Sequence, residues 1–208
     1  MEKSSTFVIT ISRQLGSGGA YVGQQLAKNL NIFYADREII CQTAKQLSVL
    51  EENLKLRDEK LTSFWQSFIQ SCVFCAPEAY IPPQIFVPTD NALFKAESEV
   101  IEQIAKERSA VFIGRCASHI LREHPNHISI FLHADTTFRK IRIQELYNVS
   151  EGESAKMIVK SDKERAQYYQ TLTGKLWTDS RQYNLSIDTS KLGLDRSIEL
   201  ILKYMEIS

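Results

Sequence analysis

The chain is poor in the features that would commit it early to a function. Its 25 basic and 25 acidic residues cancel, so neither a nucleic-acid footprint nor a polybasic membrane face is indicated. Four cysteines in 208 residues are too few for a disulfide scaffold and point to a reduced compartment, with the cytoplasm as the expected location. No apolar run approaches the length of a membrane span, and the opening MEKSST lacks the pattern of a secretory signal. In such a chain the sequon Asn148-Val149-Ser150 is read as chance. His119, His124, His127 and His133 form no HExxH or paired-carboxylate pattern, and Cys72-Val73-Phe74-Cys75 has no second pair, so no protein metal site is expected. Proline is scarce and unevenly spread: four of the five fall in Ser63–Pro88, an aromatic stretch without clean periodicity. That stretch reads as a loop packed by its own rings, a flap over a ligand or a subunit contact. There is no internal repeat. A hydrophobic fraction of 43% fills one sizeable core and leaves room for a small lobe.

What the sequence does have is the stretch Phe7–Leu30, FVITISRQLGSGGAYVGQQLAKNL. Phe7–Ile11 reads as a buried strand, Ser12-Arg13-Gln14 as a polar bend, and Gly16-Ser17-Gly18-Gly19 as a glycine loop. Val22, Leu26 and Leu30 then recur at helical spacing, with Ala27 beside them. Strand, glycine loop and helix in that order aim main-chain N–H groups and a helix dipole at an anion. A P-loop, GxxxxGK[ST], needs a lysine and a hydroxyl after its last glycine. If Gly18 is that glycine, its first glycine falls at Arg13, its lysine at Gly19 and its hydroxyl at Ala20. Two other readings stay open: a tight turn with no ligand, and a dinucleotide-binding unit with Asp36 near the expected distance. Tyr21, where close helix–sheet packing wants glycine, weighs against the second.

Downstream, Asn31–Ala35 reads as extended, Asp36 as an N-cap for a helix from Arg37 to about Leu47, and Glu51–Leu61 as a second helical piece. Helical periodicity returns from about Asn91 to Arg108. A strand over Ala110–Gly114 opens directly onto Arg115 and a helix over Ala117–Arg122. A third strand is His127–His133, and a further helix follows Asp135. A long polar helix spans about Gly152–Leu172 and stops at Gly174; a last strand over Asn184–Asp188 precedes a helix from about Leu194 to Tyr204. Strands alternating with helices predict an α/β domain with a mostly parallel sheet, with ligands at the carboxyl ends of the strands. Arg13, Asp36, Arg115 and Asp135 stand at those ends in sequence.

Cations gather around the strand ends and on the later helices: Arg37, Arg115, Arg139, Arg142, Arg165 and Lys175. Arginine suits phosphate because its planar fork binds oxygens in pairs and stays charged, and phosphoryl transfer asks a protein mainly for positioning and charge neutralisation. Arg139 and Arg142 share a helix face by their spacing, as do Asp162 and Arg165. Arg115, straight after a buried strand, is the least ornamental of the set. Gly16-Ser17-Gly18 lacks the spacing of a nucleophile elbow.

Four islands together resemble the cytidylate kinase-like branch of the P-loop nucleoside monophosphate kinases. They are Ile9–Ile40 with SRQLGSGG, Val111–Leu121 with GRCA, Ile130–Arg142, and Ser161–Gly193 with DKERAQYY. The resemblance implies one P-loop kinase-type domain over 1–208: a parallel sheet flanked by helices, with a small acceptor lobe at about 37–95 and a helical lid at about 139–175. It implies ATP with Mg²⁺ as donor and CMP, dCMP or a related small phosphate acceptor as acceptor, so the partners are small nucleotides. The alternative on the same fold is an inactive nucleotide-binding regulator. By resemblance, Gly16, Ser17, Gly18 and Gly19 cradle the donor's phosphates, and Arg115 holds the acceptor's phosphate. Asp162 and Arg165 resemble the pair that reads the acceptor's base and nucleotide, Arg139 and Arg142 the lid arginines closing on the transferring group, and Asp36 and Arg37 the start of the acceptor lobe. Arg165 counts with Arg139 and Arg142 as catalytic. Arg13 and Lys175 are the candidates to replace the missing lysine.

Overall fold

The computed structural model describes residues 6–36, 40 and 91–207. Five strands form one sheet: β1 (Val8–Arg13), β2 (Phe33–Ala35), β3 (Ala110–Ile113), β4 (His127–His133) and β5 (Leu185–Asp188). Their order is β2-β3-β1-β4-β5, and every pairing is parallel. β1 lies in the middle, in register with β3 from Val8 opposite Ala110 and with β4 from Val8 opposite His127. The chain leaves β1 toward one side of the sheet and later crosses over it to reach β4. That reversal opens a crevice at the carboxyl end of β1, the usual ligand position in open α/β sheets.

Both faces of the sheet are covered, which is why its strands are near-continuous apolar runs. Alternation along β1 sends Val8 to one core and Ile9 and Ile11 to the other. The first core is closed by α2 (Asn91–Glu107), through Val100, Ile101 and Ile104, and by the short α3 (Ala117–Ile120). The second is closed by α1 (Gly19–Leu30), through Val22, Leu26 and Ala27, and by α7 (Leu194–Ile207), through Ile198 and Ile201. Two helices, α4 (Thr136–Tyr147) and α5 (Glu151–Thr173), form a hairpin outside these layers; a short α6 (Thr189–Leu192) follows β5. A capping box between Ser150 and Glu153 starts α5, and Gly174 at φ 69° ends it.

Among the described residues the expected elements are found, with shifted ends. β1 runs on through Ser12 and Arg13, expected as a bend, because both residues pair with Phe131 and Leu132 of β4. The closing helix extends to Ile207, and two short pieces, Ser180–Gln182 and α6, lie where no element was expected. The readings for Arg37–Leu47, Glu51–Leu61, Ser63–Pro88 and Cys72–Cys75 lie outside the described residues, as does most of the acceptor-lobe range. Among the described residues no helix is long and apolar enough to cross a membrane.

At the amino end of β4, His127 Nε2 lies 2.7 Å from the hydroxyl of buried Thr10. Burial, and then the nearby His124, push its pKa down from 6.5 to about 4. The folded chain therefore resists a proton that the unfolded chain accepts, so this contribution is full above about pH 6.5 and is lost as pH falls toward 4. His127→Gln should flatten the fall in stability between those two values, read from urea midpoints across pH; an unchanged slope would contradict the assignment.

Candidate functional site

The loop from β1 to α1 crosses the crevice. Gly16 and Gly18 have φ of 83° and 82°, in the left-handed region that glycine enters without strain. Neither position has room for a side chain: a Cβ on Gly16 would lie 2.8 Å from the Arg139 carbonyl oxygen, and one on Gly18 would overlap Leu194. Gly18 is also the N-cap of α1 and offers no side-chain cap to the helix. The first amides of α1 thus have no intrahelical acceptor and meet the crevice together with the positive end of the helix dipole.

Five main-chain groups of this loop, from Arg13 to Ser17, are held from outside it. The Arg13 carbonyl accepts a 2.7 Å hydrogen bond from Arg165 Nη1. Gln14 donates its N–H to the Leu132 carbonyl at 3.0 Å, and its side-chain oxygen accepts from Ala134 N–H at 3.3 Å. Leu15 is clamped at both ends: its carbonyl accepts from Arg139 Nε at 2.7 Å, and its N–H donates to Asp162 Oδ1 at 3.2 Å. Arg139 and Asp162 close the clamp with a 2.5 Å ion pair. Ser17, fully buried, turns its hydroxyl back to the Gln14 carbonyl. Its own carbonyl lies 2.9 Å from the hydroxyl of Thr189, which is shared with the His133 carbonyl at 3.1 Å. The Leu15 side chain packs with Ile143 of α4 and Ile158 of α5.

Arg13 ends β1, and its half-buried side chain runs from the start of α1 toward the end of β3. A Cβ on Gly19 would stand 2.6 Å from Arg13 Cγ, and one on Gly114 would overlap Arg13 Nη1. The stem therefore lies against the start of α1 and the guanidinium against the end of β3. Asp36 follows β2 at the same carboxyl edge; burial, and then Asp36, raise the Tyr34 pKa, which Arg13 opposes.

Arg115 sits in a second assembly. Gly114, Arg115 and Cys116 take φ of 74°, 53° and 55°, an uncommon run for two side-chain-bearing residues. The turn drives the Arg115 side chain, 4% exposed, onto the Glu97 carboxylate, which is fully buried. Its guanidinium lies 5.4 Å from the Tyr168 ring centre, and the Tyr168 hydroxyl donates to Glu97 at 3.2 Å. Burial raises the Tyr168 pKa, so this hydroxyl stays protonated, and lifts the adjacent Cys116 thiol to about 12, so that sulfur is unreactive.

The site residues expected from sequence thus fall into distinct groups. Gly16, Ser17, Gly18 and Gly19 form the loop; Arg13, Asp36 and Arg115 stand at neighbouring strand ends. Arg139, Asp162 and Arg165 grip the loop backbone. Arg142 separates from Arg139 and lies half-buried with its guanidinium 5.9 Å from the Phe138 ring centre. Lys175 lies past the end of α5, near His119 and Asp179. Arg37 is outside the described residues. Sequence reasoning missed Gln14, Glu97, Tyr168 and Thr189. A buried Glu97 interrupting the apolar face of α2 was the readable sign of a buried partner; Thr189 left none.

A buried ion pair is weak evidence of net stability, but removing one member strands the other. Arg115→Met should lower unfolding free energy by about 3–5 kcal/mol, and adding Glu97→Gln should recover most of it. Urea denaturation of the two single variants and the double checks this; additivity within about 0.5 kcal/mol would mean that the two groups are not coupled.

The model of the cytidylate kinase-like family matches residues 8–191. No curated protein sequence matches the chain. Among solved structures, an uncharacterized protein from Eubacterium ventriosum ATCC 27560 is 26% identical over 97% of this chain and 99% of its own, with a TM-score of 0.73. A shikimate kinase from Bacteroides thetaiotaomicron is 13% identical over 96% of this chain and 98% of its own, with a TM-score of 0.50. Another, from Acinetobacter baumannii in complex with shikimate, is 13% identical over 97% and 93%, with a TM-score of 0.51. The two shikimate kinases share the fold, a parallel sheet flanked by helices as in P-loop kinases. The glycine loop at the crevice and a family match running from β1 to α6 lead to one assignment: the chain belongs to the cytidylate kinase-like family.

Proposed function

We propose that this protein transfers the γ-phosphoryl group of ATP to CMP, dCMP or a closely related small phosphate acceptor. The observation that carries the reading is the glycine loop at the carboxyl end of the central strand, backed by the N-terminus of α1 and flanked by Arg13 and Arg115. Family membership supports phosphoryl transfer, and the pyrimidine nucleotide is our extension of the family's likeness to cytidylate kinases. The acceptor's phosphate oxygen attacks the γ-phosphorus while the bond to the β–γ bridging oxygen breaks, and ADP leaves with that electron pair. Amides at Gly16–Gly19 and the guanidinium of Arg13 hold the donor's phosphates, Asp36 faces the acceptor, and Arg142 closes from the α4 side; Arg115, buried on Glu97, reaches the acceptor's phosphate only by turning away from that carboxylate. Arg37 belongs to the acceptor side by the same reading.

Arg139, Asp162 and Arg165 contribute by fixing the loop's shape. A contact between Asp162 or Arg165 and the acceptor's base requires those side chains to leave Leu15 and Arg13. We assign residues about 37–95 to an acceptor lobe and about 139–175 to a lid within one domain. Ala20 stands where a P-loop carries its metal-holding hydroxyl, and among the described residues no cluster of three His, Cys, Asp or Glu is placed for a metal. The described residues thus fit Mg²⁺ as an ion arriving on the triphosphate, held by phosphate oxygens and water, where it would supply charge neutralisation.

Gly19 and Ala20 also favour a second reading, a nucleotide-binding protein of this fold without turnover. A coupled ADP-release assay over a panel of nucleoside monophosphates and other small phosphate acceptors separates the two. CMP or dCMP should give the largest acceptor-dependent rate. No acceptor-dependent ADP, together with a melting temperature raised by ATP, would favour the second reading.

A further inference from the structure

The fold leaves one feature of the loop unexplained. Gly19 opens α1 yet does not have a positive φ. Nothing in its backbone requires glycine, and glycine there weakens the helix by about 0.8–1 kcal/mol relative to alanine. Its reason is packing: Arg13 Cγ and Cβ lie 2.6 and 2.7 Å from where a Gly19 Cβ would be, and Arg13 Cδ lies at 3.4 Å. The same side chain ends in the space that a Cβ on Gly114 would need. Two glycines, in α1 and after β3, thus clear a path for one arginine. The volume in which a side chain on residue 19 would begin is filled by the stem of residue 13. A side chain at 19 and the present Arg13 exclude one another.

We propose that Arg13 carries the charge that residue 19 lacks, serving the terminal phosphates of a bound triphosphate from the strand side of the loop. This rests on the functional reading above and specifies how the donor is held. The guanidinium runs from the mouth of the glycine loop toward the end of β3, where Arg115 begins, and so spans the ground between donor and acceptor. A guanidinium presents paired donors to phosphate oxygens, where an ammonium presents a point charge. Lys175, beyond the end of α5, has no comparable relation to the loop.

The test measures binding of Mg²⁺–AMP-PNP and of AMP by calorimetry, with melting temperatures, for the full-length wild type and four variants. Arg13→Ala should weaken AMP-PNP binding by about ten- to hundredfold and leave AMP binding nearly unchanged, because the effect belongs to the outer phosphates. Arg13→Lys, which keeps the stem and the charge, should fall between alanine and wild type with a wild-type melting temperature. Gly19→Lys alone should melt lower, since two side chains then compete for one volume. Arg13→Gly with Gly19→Lys, which removes both the Cγ and the Cβ that crowd residue 19, should recover most of the melting temperature and most of the AMP-PNP affinity. Equal losses for AMP and AMP-PNP in Arg13→Ala, or no loss for either, would overturn this inference and leave the functional reading standing. A Gly19→Lys protein as stable as wild type would overturn the exclusion on which it rests. A wild type that does not bind AMP-PNP would overturn the functional reading and this inference together.

Discussion

The glycine loop has its shape because other parts of the chain hold its peptide groups. Leu15 is the centre of that constraint, with its N–H on Asp162 and its carbonyl on Arg139. A loop of this kind gains little from its own residues: glycine maximises the entropy lost on ordering, and Gly18 gives α1 no side-chain cap. Left to itself it would sample many conformations, few of which line up its amides. Arg165, Arg139, Asp162, Thr189 and the end of β4 each remove part of that freedom by taking one carbonyl or one N–H. Each net hydrogen bond contributes only about 0.5–1.5 kcal/mol, so the gain is mainly in uniqueness of shape. Electrostatic preorganisation of an anion site consists of this.

Two of these holders, Asp162 and Arg165, stand on one face of α5. Ile158 packs on the Leu15 side chain, Asp162 takes its N–H, Arg165 takes the Arg13 carbonyl, and Tyr169 joins the aromatic cluster of Phe131, Trp177 and Tyr183. Those positions are four, three and four residues apart, the spacing of one helical stripe. Tyr168, next to that stripe, reaches Glu97 and the Arg115 assembly. The hairpin α4–α5 is therefore mechanically part of the loop. A displacement of α5 breaks the grip on Leu15 and Arg13 and disturbs the Arg115 group at once, so hairpin position and site geometry cannot vary independently.

This arrangement explains what sequence reading reached and where it stopped. Strands buried on both faces announce themselves as apolar runs, so Ala110–Ile113 and His127–His133 were legible. Gly16 and Gly18 were legible as a loop because positive φ selects glycine. Spacing also placed Asp162 and Arg165 on one face of α5. It could not identify what that face meets, since the partners lie well over a hundred residues away and are main-chain groups, which carry no sequence signature. A stripe of Asp and Arg on a polar helix reads as solvated, yet here it docks a loop. Arg139 and Arg142 differ in burial for a related reason. Three residues apart fixes a shared face but not a depth, and the Leu15 carbonyl draws one of them inward.

The charges divide accordingly. Arg139 with Asp162, and Arg115 with Glu97, are close opposite pairs at low exposure. Each is nearly neutral from a short distance, so each supplies geometry more than field; buried pairs of this type tend to specify an arrangement rather than stabilise it. A site for several phosphate charges needs net positive potential from elsewhere. Among the described residues, sources on the loop side include the amides at the start of α1, its dipole, and the guanidiniums of Arg165 and Arg13. Arg165 is spent on a carbonyl at the back of the loop. Arg13 runs from the start of α1 toward the end of β3. A side chain at residue 19 would leave no space for the stem of residue 13, so the glycine that breaks the P-loop pattern goes together with the arginine beside it.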